Sequence, residues 1–218
     1  MRGVSVGLLP AALVTGLLTG CSSDSDGDSA KKPSKSAAKD AKGGKDAKGG
    51  GVAKAAKKGA TLGGAGTPCK LPVSFDLADK WEAEAVKTDD KFGAVTQGTV
   101  TLVCEVDAKP AGNIGFLRVW TGKEKGEDAR KALEAFLADE AKDREKVEFS
   151  EVKAGEFDAA EVTFVNKNEF LDAPKKERAL AVTSESGVVV VHLGGLDTEE
   201  HEQMLPAYEL AKTSMKGV

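Results

Sequence analysis

Hydrophobic residues recur along the last two thirds of the chain with the periods of strands and helices. Apolar and polar residues alternate over residues 73–77, and a tight turn leads into a second short strand at 81–85. Residues 99–107 keep the same period, whereas residues 114–120 are apolar on both faces except for one arginine, which predicts a central strand. Four apolar residues of the third strand are expected to share one face: Val100, Leu102, Cys104 and Val106.

The period changes to that of a helix at residues 127–141, where an apolar stripe is flanked by charged residues. Strand-like alternation returns at residues 147–152 and 160–165. Residues 180–193 then predict a hairpin, because two apolar runs are separated by a turn of serine, glutamate and glycine.

A second helix is expected at the C-terminal end. Asp197, three residues before Glu200, has the spacing of a capping signal, and the helical segment should reach about residue 215. Pro206 has no N–H to donate, so two short helices or a kink are expected there. Strands grouped between two helices favour an α+β fold. We therefore predict a single domain with a mainly antiparallel sheet and helices packed on it, rather than a doubly wound parallel sheet.

The first twenty residues have the pattern of an export signal. A basic start precedes an apolar run that ends at Leu18 and is too short and broken to span a bilayer permanently. The following Leu18-Thr19-Gly20-Cys21 resembles the lipobox of bacterial lipoproteins. The resemblance implies that the Cys21 sulfur carries a lipid and that the chain is cut before Cys21. Residues 1–20 are then the signal peptide, and the protein is anchored to the outer face of the cell membrane. The alternative is an ordinary secretory signal with a chance cysteine.

Composition separates a tether from a folded head. All eleven aromatic residues lie between Phe75 and Tyr208, whereas residues 21–66 consist mostly of Lys, Gly, Ala, Ser and Asp, with a Lys-Asp-Ala-Lys-Gly-Gly repeat. Such a segment cannot bury enough apolar surface to fold, so a disordered tether is predicted before a globular domain at 67–218. The tether has a net charge of +5 and the head −10. The basic tether is expected to bind anionic lipid or wall polymer, or else to be a soluble spacer only. Nucleic-acid binding is not expected.

Two cysteines remain once Cys21 is assigned to the lipid. Cys69 and Cys104 form an even pair in an oxidising compartment, which favours a disulfide bond. The alternatives are a redox pair and a metal site. Redox enzymes usually place their cysteines close together in sequence, and two histidines are few for a zinc site. No metal ligand and no cofactor are therefore assigned.

The two histidines carry little sign of catalysis. His192 lies near the end of an apolar strand, where a rim histidine with a satisfied ring is expected rather than a base. His201 lies among glutamates of the last helix and is expected to face solvent. Neither is accompanied by a nucleophile motif such as Gly-x-Ser-x-Gly or by a metalloprotease motif.

The order of elements also resembles a known fold. A Ser-Phe-Asp-Leu strand that turns into Trp81, a mid-chain helix, a strand ending Val-Val-Val-Val-His-Leu and a proline-interrupted last helix together resemble the PsbP-like α/β/α sandwich. That fold occurs in actinobacterial lipoproteins of the LpqN type. The resemblance covers about residues 71–216 and implies a binding or assembly factor rather than an enzyme.

These observations favour a non-catalytic module of the cell envelope that binds a partner protein, a wall polymer or an apolar ligand. The ligand-binding candidates are Trp81 and Trp120, which can equally be core residues, and His192. Two alternatives stay open: an envelope hydrolase that uses carboxylates or His192, and a purely structural wall tether.

Overall fold

Strands dominate the part of the chain that the computed structural model describes, which is residues 54–87, 93–167 and 173–218. In these residues there are two α-helices, α1 and α2, and a short 3-10 turn at Lys109–Ala111. In chain order the elements are β1 Lys58–Leu62, β2 Val73–Ala78, β3 Glu82–Ala85, β4 Thr96–Gln97, β5 Val100–Asp107, β6 Gly115–Thr121, α1 Ala129–Glu140, β7 Arg144–Ala154, β8 Phe157–Asn166, β9 Lys175–Ser184, β10 Gly187–Gly195, α2 Thr198–Thr213 and β11 Lys216–Gly217.

The large sheet is antiparallel and has the strand order β3-β5-β6-β10-β9-β8-β7, with β4 paired beside β5. Short turns join β7 to β8 and β9 to β10, and the second of these hairpins is the one that the sequence predicts at residues 180–193. With two helices packed against this sheet, the predicted α+β class is confirmed.

Each face of the large sheet packs against a different layer. On one face, α1 buries Leu133 and Phe136 against apolar residues of β5, β8, β9 and β10. On the other face, α2 and a small sheet of order β1-β2-β11 bury Phe75 and Tyr208 among apolar residues of β6, β9 and β10. Strand β10 lies between these two layers, and every one of its residues is buried.

A β-bulge in β5 changes one prediction. The pairing register with β6 shifts between Leu102, opposite Trp120, and Cys104, opposite Val119. Because the extra residue reverses the alternation, Val100 and Leu102 pack with α1, whereas Cys104 and Val106 pack in the other core. The four residues are buried, as predicted, but they do not share one face.

The first two predicted strands also differ from the expected pair. Strand β2 belongs to the small sheet, while β3 pairs with β5 at the edge of the large sheet. Lys80, in the turn between them, has a positive φ of 67°. The tight turn is therefore real, but it moves the chain from one sheet to the other.

The folded part begins earlier than residue 67. Strand β1 lies within the segment predicted as tether; it pairs with β2, and its Leu62 is fully buried. Gly63, directly after it, has a φ of 81°, and a Cβ there would lie 2.0 Å from the Val73 carbonyl oxygen. The predicted signal peptide, Cys21 and the tether as far as residue 53 lie outside the described residues.

Helix α2 runs through Pro206 rather than dividing into two helices. Its N-cap is the predicted one, since the Asp197 side chain accepts a hydrogen bond from the Glu200 N–H at 2.8 Å. The proline carbonyl accepts the N–H of Ala56 at 2.8 Å. The packing of Met204 and Tyr208 on the sheet compensates for the missing proline donor.

The predicted disulfide between Cys69 and Cys104 is present, with 5.9 Å between the two Cα atoms. Both cysteines are buried. The bond connects the segment before β2 with β5, and so joins the small sheet covalently to the large one.

Replacing both cysteines with alanine should lower the free energy of unfolding by about 3–4 kcal/mol, because a closed loop of about 36 residues is then released in the unfolded chain. Urea denaturation followed by circular dichroism measures this loss. Dithiothreitol should destabilise the natural protein similarly and leave the double variant unchanged. Two thiols that react with an alkylating agent in unreduced exported protein, besides Cys21, would contradict the bond.

Candidate functional site

His192 is the centre of a buried polar cluster between α1 and the large sheet. Only 1% of its side chain is exposed, so it is not a rim histidine. Its Nε2 lies 3.1 Å from Glu177 Oε2, and its Nδ1 lies 3.9 Å from Glu140 Oε1. The imidazole therefore stands between two carboxylates that come from different elements.

Sheet register and helix length bring these side chains together. His192 in β10 lies opposite Ala179 in β9, and Glu177 is two residues before Ala179, so both side chains point to the α1 face. Glu140 is the last residue of α1, the helix that covers this face, and its side chain extends toward His192. The Gln97 amide donates to Glu140 Oε2 at 2.5 Å, which leaves Oε1 facing the histidine.

Aromatic rings enclose the imidazole. The Phe136 ring of α1 meets it edge-on at 5.5 Å between centroids, and the Phe164 ring of β8 lies nearly parallel to it at 6.4 Å. Trp120 packs edge-on against Phe136 at 5.4 Å. These contacts limit the rotation of the imidazole and reduce its contact with water.

The buried Glu177 carboxylate is held by basic groups. Its Oε1 accepts from Lys175 Nζ at 2.8 Å and from the Asn166 amide at 3.4 Å. Burial raises the pKa of Glu177, but the hydrogen bond and charge of His192 and the ammonium of Lys175 outweigh it and bring the pKa to about 2. Glu177 is thus an anion at neutral pH.

A second buried polar cluster joins α2 to the opposite face of the sheet. Glu161 Oε1 accepts from the Tyr208 hydroxyl at 2.8 Å and from Lys212 Nζ at 3.1 Å, and Lys212 also contacts Glu209 at 2.8 Å. Burial and the nearby Glu161 raise the pKa of Tyr208 well above its usual value. Tyr208 and Lys212 of α2 thus both donate to Glu161 of β8, so the cluster fixes α2 on the sheet.

His201 does not face solvent. Its side chain is buried on the face of α2 that packs against the sheet. Its Nδ1 has no hydrogen-bond partner among the described residues. Burial and the charge of the nearby Arg178 guanidinium, against the opposing effect of Glu177, together lower the pKa of His201 to about 4. The imidazole is therefore neutral at pH 7.

The two tryptophans do not form a common surface. Trp81 is buried in the core that contains the small sheet and α2, whereas Trp120 is buried in the core beneath α1. His192 shares a face with Trp120 only. Their role as ligand-binding residues stays a prediction, and the structure places both in packed interiors.

A further concave surface lies away from His192, between the N-terminal end of α1 and the β7–β8 hairpin. It is an open groove of about 890 Å³, and its apolar part includes Ala129, Val152 and Phe157. Five carboxylates and two basic side chains line it: Glu127, Asp128, Glu151, Glu156, Asp158, Arg130 and Lys153. Sequence reasoning missed this groove because no local pattern shows that a helix end and a later hairpin are adjacent.

Between pH 7 and pH 5 the protein should lose about 2 kcal/mol of unfolding free energy through His201. The unfolded chain takes up a proton near pH 6.5, whereas the folded chain does so only near pH 4, so this stability is complete above pH 6.5 and is lost as the pH falls toward 4.

Urea denaturation at the two pH values measures the effect, and a His201→Gln variant should lose about 2 kcal/mol less than the natural protein over this interval. An equal loss in both proteins would contradict the assignment.

None of the helices in residues 54–87, 93–167 and 173–218 is long and apolar enough to cross a membrane. A search of the curated proteins finds no match for this chain. A protein family described as uncharacterised lipoprotein matches residues 36–215, which include the whole disulfide-bonded domain up to the end of α2. The chain therefore belongs to this lipoprotein family.

Proposed function

We propose that the protein is an exported lipoprotein whose α+β head binds a partner in the cell envelope without catalysing a reaction. The observation that carries this proposal is the open groove between α1 and the β7–β8 hairpin. Concave surfaces with apolar patches and a few polar groups are the usual binding places of proteins.

The anchor part of the proposal rests on the lipoprotein family and on Cys21. A diacylglyceryl group on the Cys21 sulfur supplies two acyl chains, which hold a protein durably at a bilayer, whereas one chain holds it reversibly. The basic residues that follow are attracted to anionic lipid or wall polymer on the outer face of the membrane.

The groove is suited to a basic peptide segment of an envelope protein. Carboxylates outnumber basic side chains along it, and Lys153 is already paired with Asp158 at 2.5 Å. Arg130 is held over the Phe149 ring at 3.8 Å and paired with Glu134 at 2.7 Å. Glu151 and Glu156 are exposed and leave negative charge beside the apolar Val152 and Phe157. Lysine or arginine next to an apolar side chain complements this surface.

The layered architecture supports the resemblance to PsbP-like lipoproteins as part of the same proposal. Helices lie on both faces of an antiparallel sheet, as an α/β/α sandwich requires, with the small sheet added beside α2. A binding or assembly role follows from the resemblance by analogy of fold.

An envelope hydrolase is the second candidate, and one observation favours it. The Glu177–His192 pair has the carboxylate–imidazole geometry that orients a general base. Hydrolysis of nitrophenyl esters or glycosides by the natural protein, abolished in a folded His192→Gln variant, would favour this alternative over the binding role.

Replacing Cys21 with alanine in the producing bacterium should abolish labelling by radioactive palmitate and release the protein from the membrane fraction. A Cys69→Ala/Cys104→Ala chain is the matched control, since it lacks the other two cysteines and should still be labelled. Continued labelling of the Cys21→Ala chain would exclude lipidation at this residue.

A photo-reactive amino acid at Glu156, in the groove, should form a covalent adduct with one envelope protein in living cells. The same amino acid at Glu134, on the exposed side of α1, should not. The double charge reversal Glu151→Lys/Asp158→Lys should abolish the adduct because the groove then repels a basic segment. Glu82→Lys/Glu84→Lys on the edge strand β3 changes the net charge equally and should retain the adduct. Loss in both double variants, or identical adducts at both positions, would contradict the groove as the binding surface.

A further inference from the structure

We propose that Glu140, Glu177 and His192 form a binding site for a divalent metal ion of the zinc class. Each of the three residues offers one potential ligand atom, and these atoms lie within 4.8 Å of one another. His192 Nδ1 and Glu140 Oε1 bind the ion, and Glu177 orients the imidazole from its other side. The site lies on the α1 face of the sheet and is independent of the groove of the proposed function.

The spacing between His192 and Glu140 is the first argument. Nδ1 and Oε1 are 3.9 Å apart, which is too far for a hydrogen bond. Zinc binds imidazole nitrogen and carboxylate oxygen at about 2.0–2.2 Å, so an ion between the two atoms contacts both with only a small shift of the Glu140 side chain.

The state of the imidazole is the second, independent argument. Nδ1 is completely buried and has no hydrogen-bond partner in the part of the chain that the structure describes, although a buried polar nitrogen without a partner costs free energy. It lies 3.9 Å from the Glu140 carboxylate oxygen. A bound cation supplies the missing partner.

Glu177 is placed as carboxylates are around metal-binding histidines. It contacts Nε2, the ring nitrogen opposite to Nδ1, at 3.1 Å. Such a carboxylate accepts a hydrogen bond from the Nε2–H, which leaves Nδ1 as the unprotonated nitrogen and strengthens it as a ligand. Lys175 and Asn166 hold the other oxygen of Glu177 and so fix the carboxylate.

The surroundings also fit a cation in charge and access. The carboxylates of Glu140 and Glu177 lie beside His192 together with the Lys175 ammonium. Arg118, opposite His192 in β6, is paired with Glu105 at 2.7 Å, so the charged groups around the imidazole carry one net negative charge. The Glu140 side chain is 17% exposed, so an ion and its remaining water ligands can enter from the end of α1. Phe136 and Phe164 close the other sides of the imidazole.

A proton is the competing occupant, because a doubly protonated imidazole also balances two carboxylates. That state places an N–H on Nδ1 toward an oxygen that is 3.9 Å away and leaves the donor without a hydrogen bond. The two occupants differ in a measurable way: zinc requires an unprotonated Nδ1, whereas the ion pair requires both nitrogens to carry protons.

Zinc titration of the mature full-length protein in detergent at pH 7 tests the site. Calorimetry should give one ion per chain, and ¹⁵N spectra of the two histidines, with His201 assigned from His201→Gln, should show a shift of Nδ1 in His192 alone. Glu140→Gln should weaken binding at least tenfold without loss of folding, because Glu140 is partly exposed at a helix end. Glu177→Gln should weaken it by about 10–100-fold.

Glu134→Gln, in the same helix but on its exposed side, is the matched control and should bind zinc as the natural protein does. Absence of zinc binding, equal binding by Glu140→Gln, or a His192 ring that keeps both protons in the presence of zinc would each overturn the proposal.

Discussion

The double burial of strand β10 is the constraint on which the rest of the structure depends. Its run of four valines has apolar side chains on both faces, so each face needs a covering layer. Helix α1 covers one face, and α2 with the small sheet covers the other. The same constraint makes His192 exceptional, since it is a polar side chain on a strand with no exposed residue. Its partners Glu177 and Glu140 therefore serve folding, because a buried imidazole needs polar partners, as well as the proposed metal binding.

Most of the helices and strands could be predicted because the residues that indicate them lie close together in the sequence. The apolar stripe of α1, the hairpin of β9 and β10 and the Asp197 cap depend on residues a few positions apart, and all are present. The bulge in β5, the separation of β2 from β3 and the strand β1 depend instead on pairing across the chain. Strand β1 is a clear case: its Lys-Gly-Ala-Thr-Leu sequence resembles the tether before it, and only Leu62 reaches the core.

The candidate site was predictable only in part, for the same reason. Cys69 and Cys104 could be paired because few cysteines were available, and the bond is present. His192 could be singled out as a histidine in an apolar strand, but nothing near it in sequence indicates Glu140, which is 52 positions earlier, or Glu177. The prediction that His201 faces solvent is wrong because Glu199 and Glu202 are exposed beside it, whereas the helix places the His201 side chain on the face that packs against the sheet.

The position of the disulfide determines how the head responds to a mechanical load from its N-terminal side. Tension along the chain acts first on the hydrogen bond from Ala56 to Pro206 and then on β1, which pairs only with β2. If β1 detaches, the pull reaches Cys69 before it reaches β2, and the covalent bond passes it directly to Cys104 in the large sheet. The bond therefore limits how far the domain can be unravelled, because β2, β3 and β4 lie within the closed loop and are not extended by the pull.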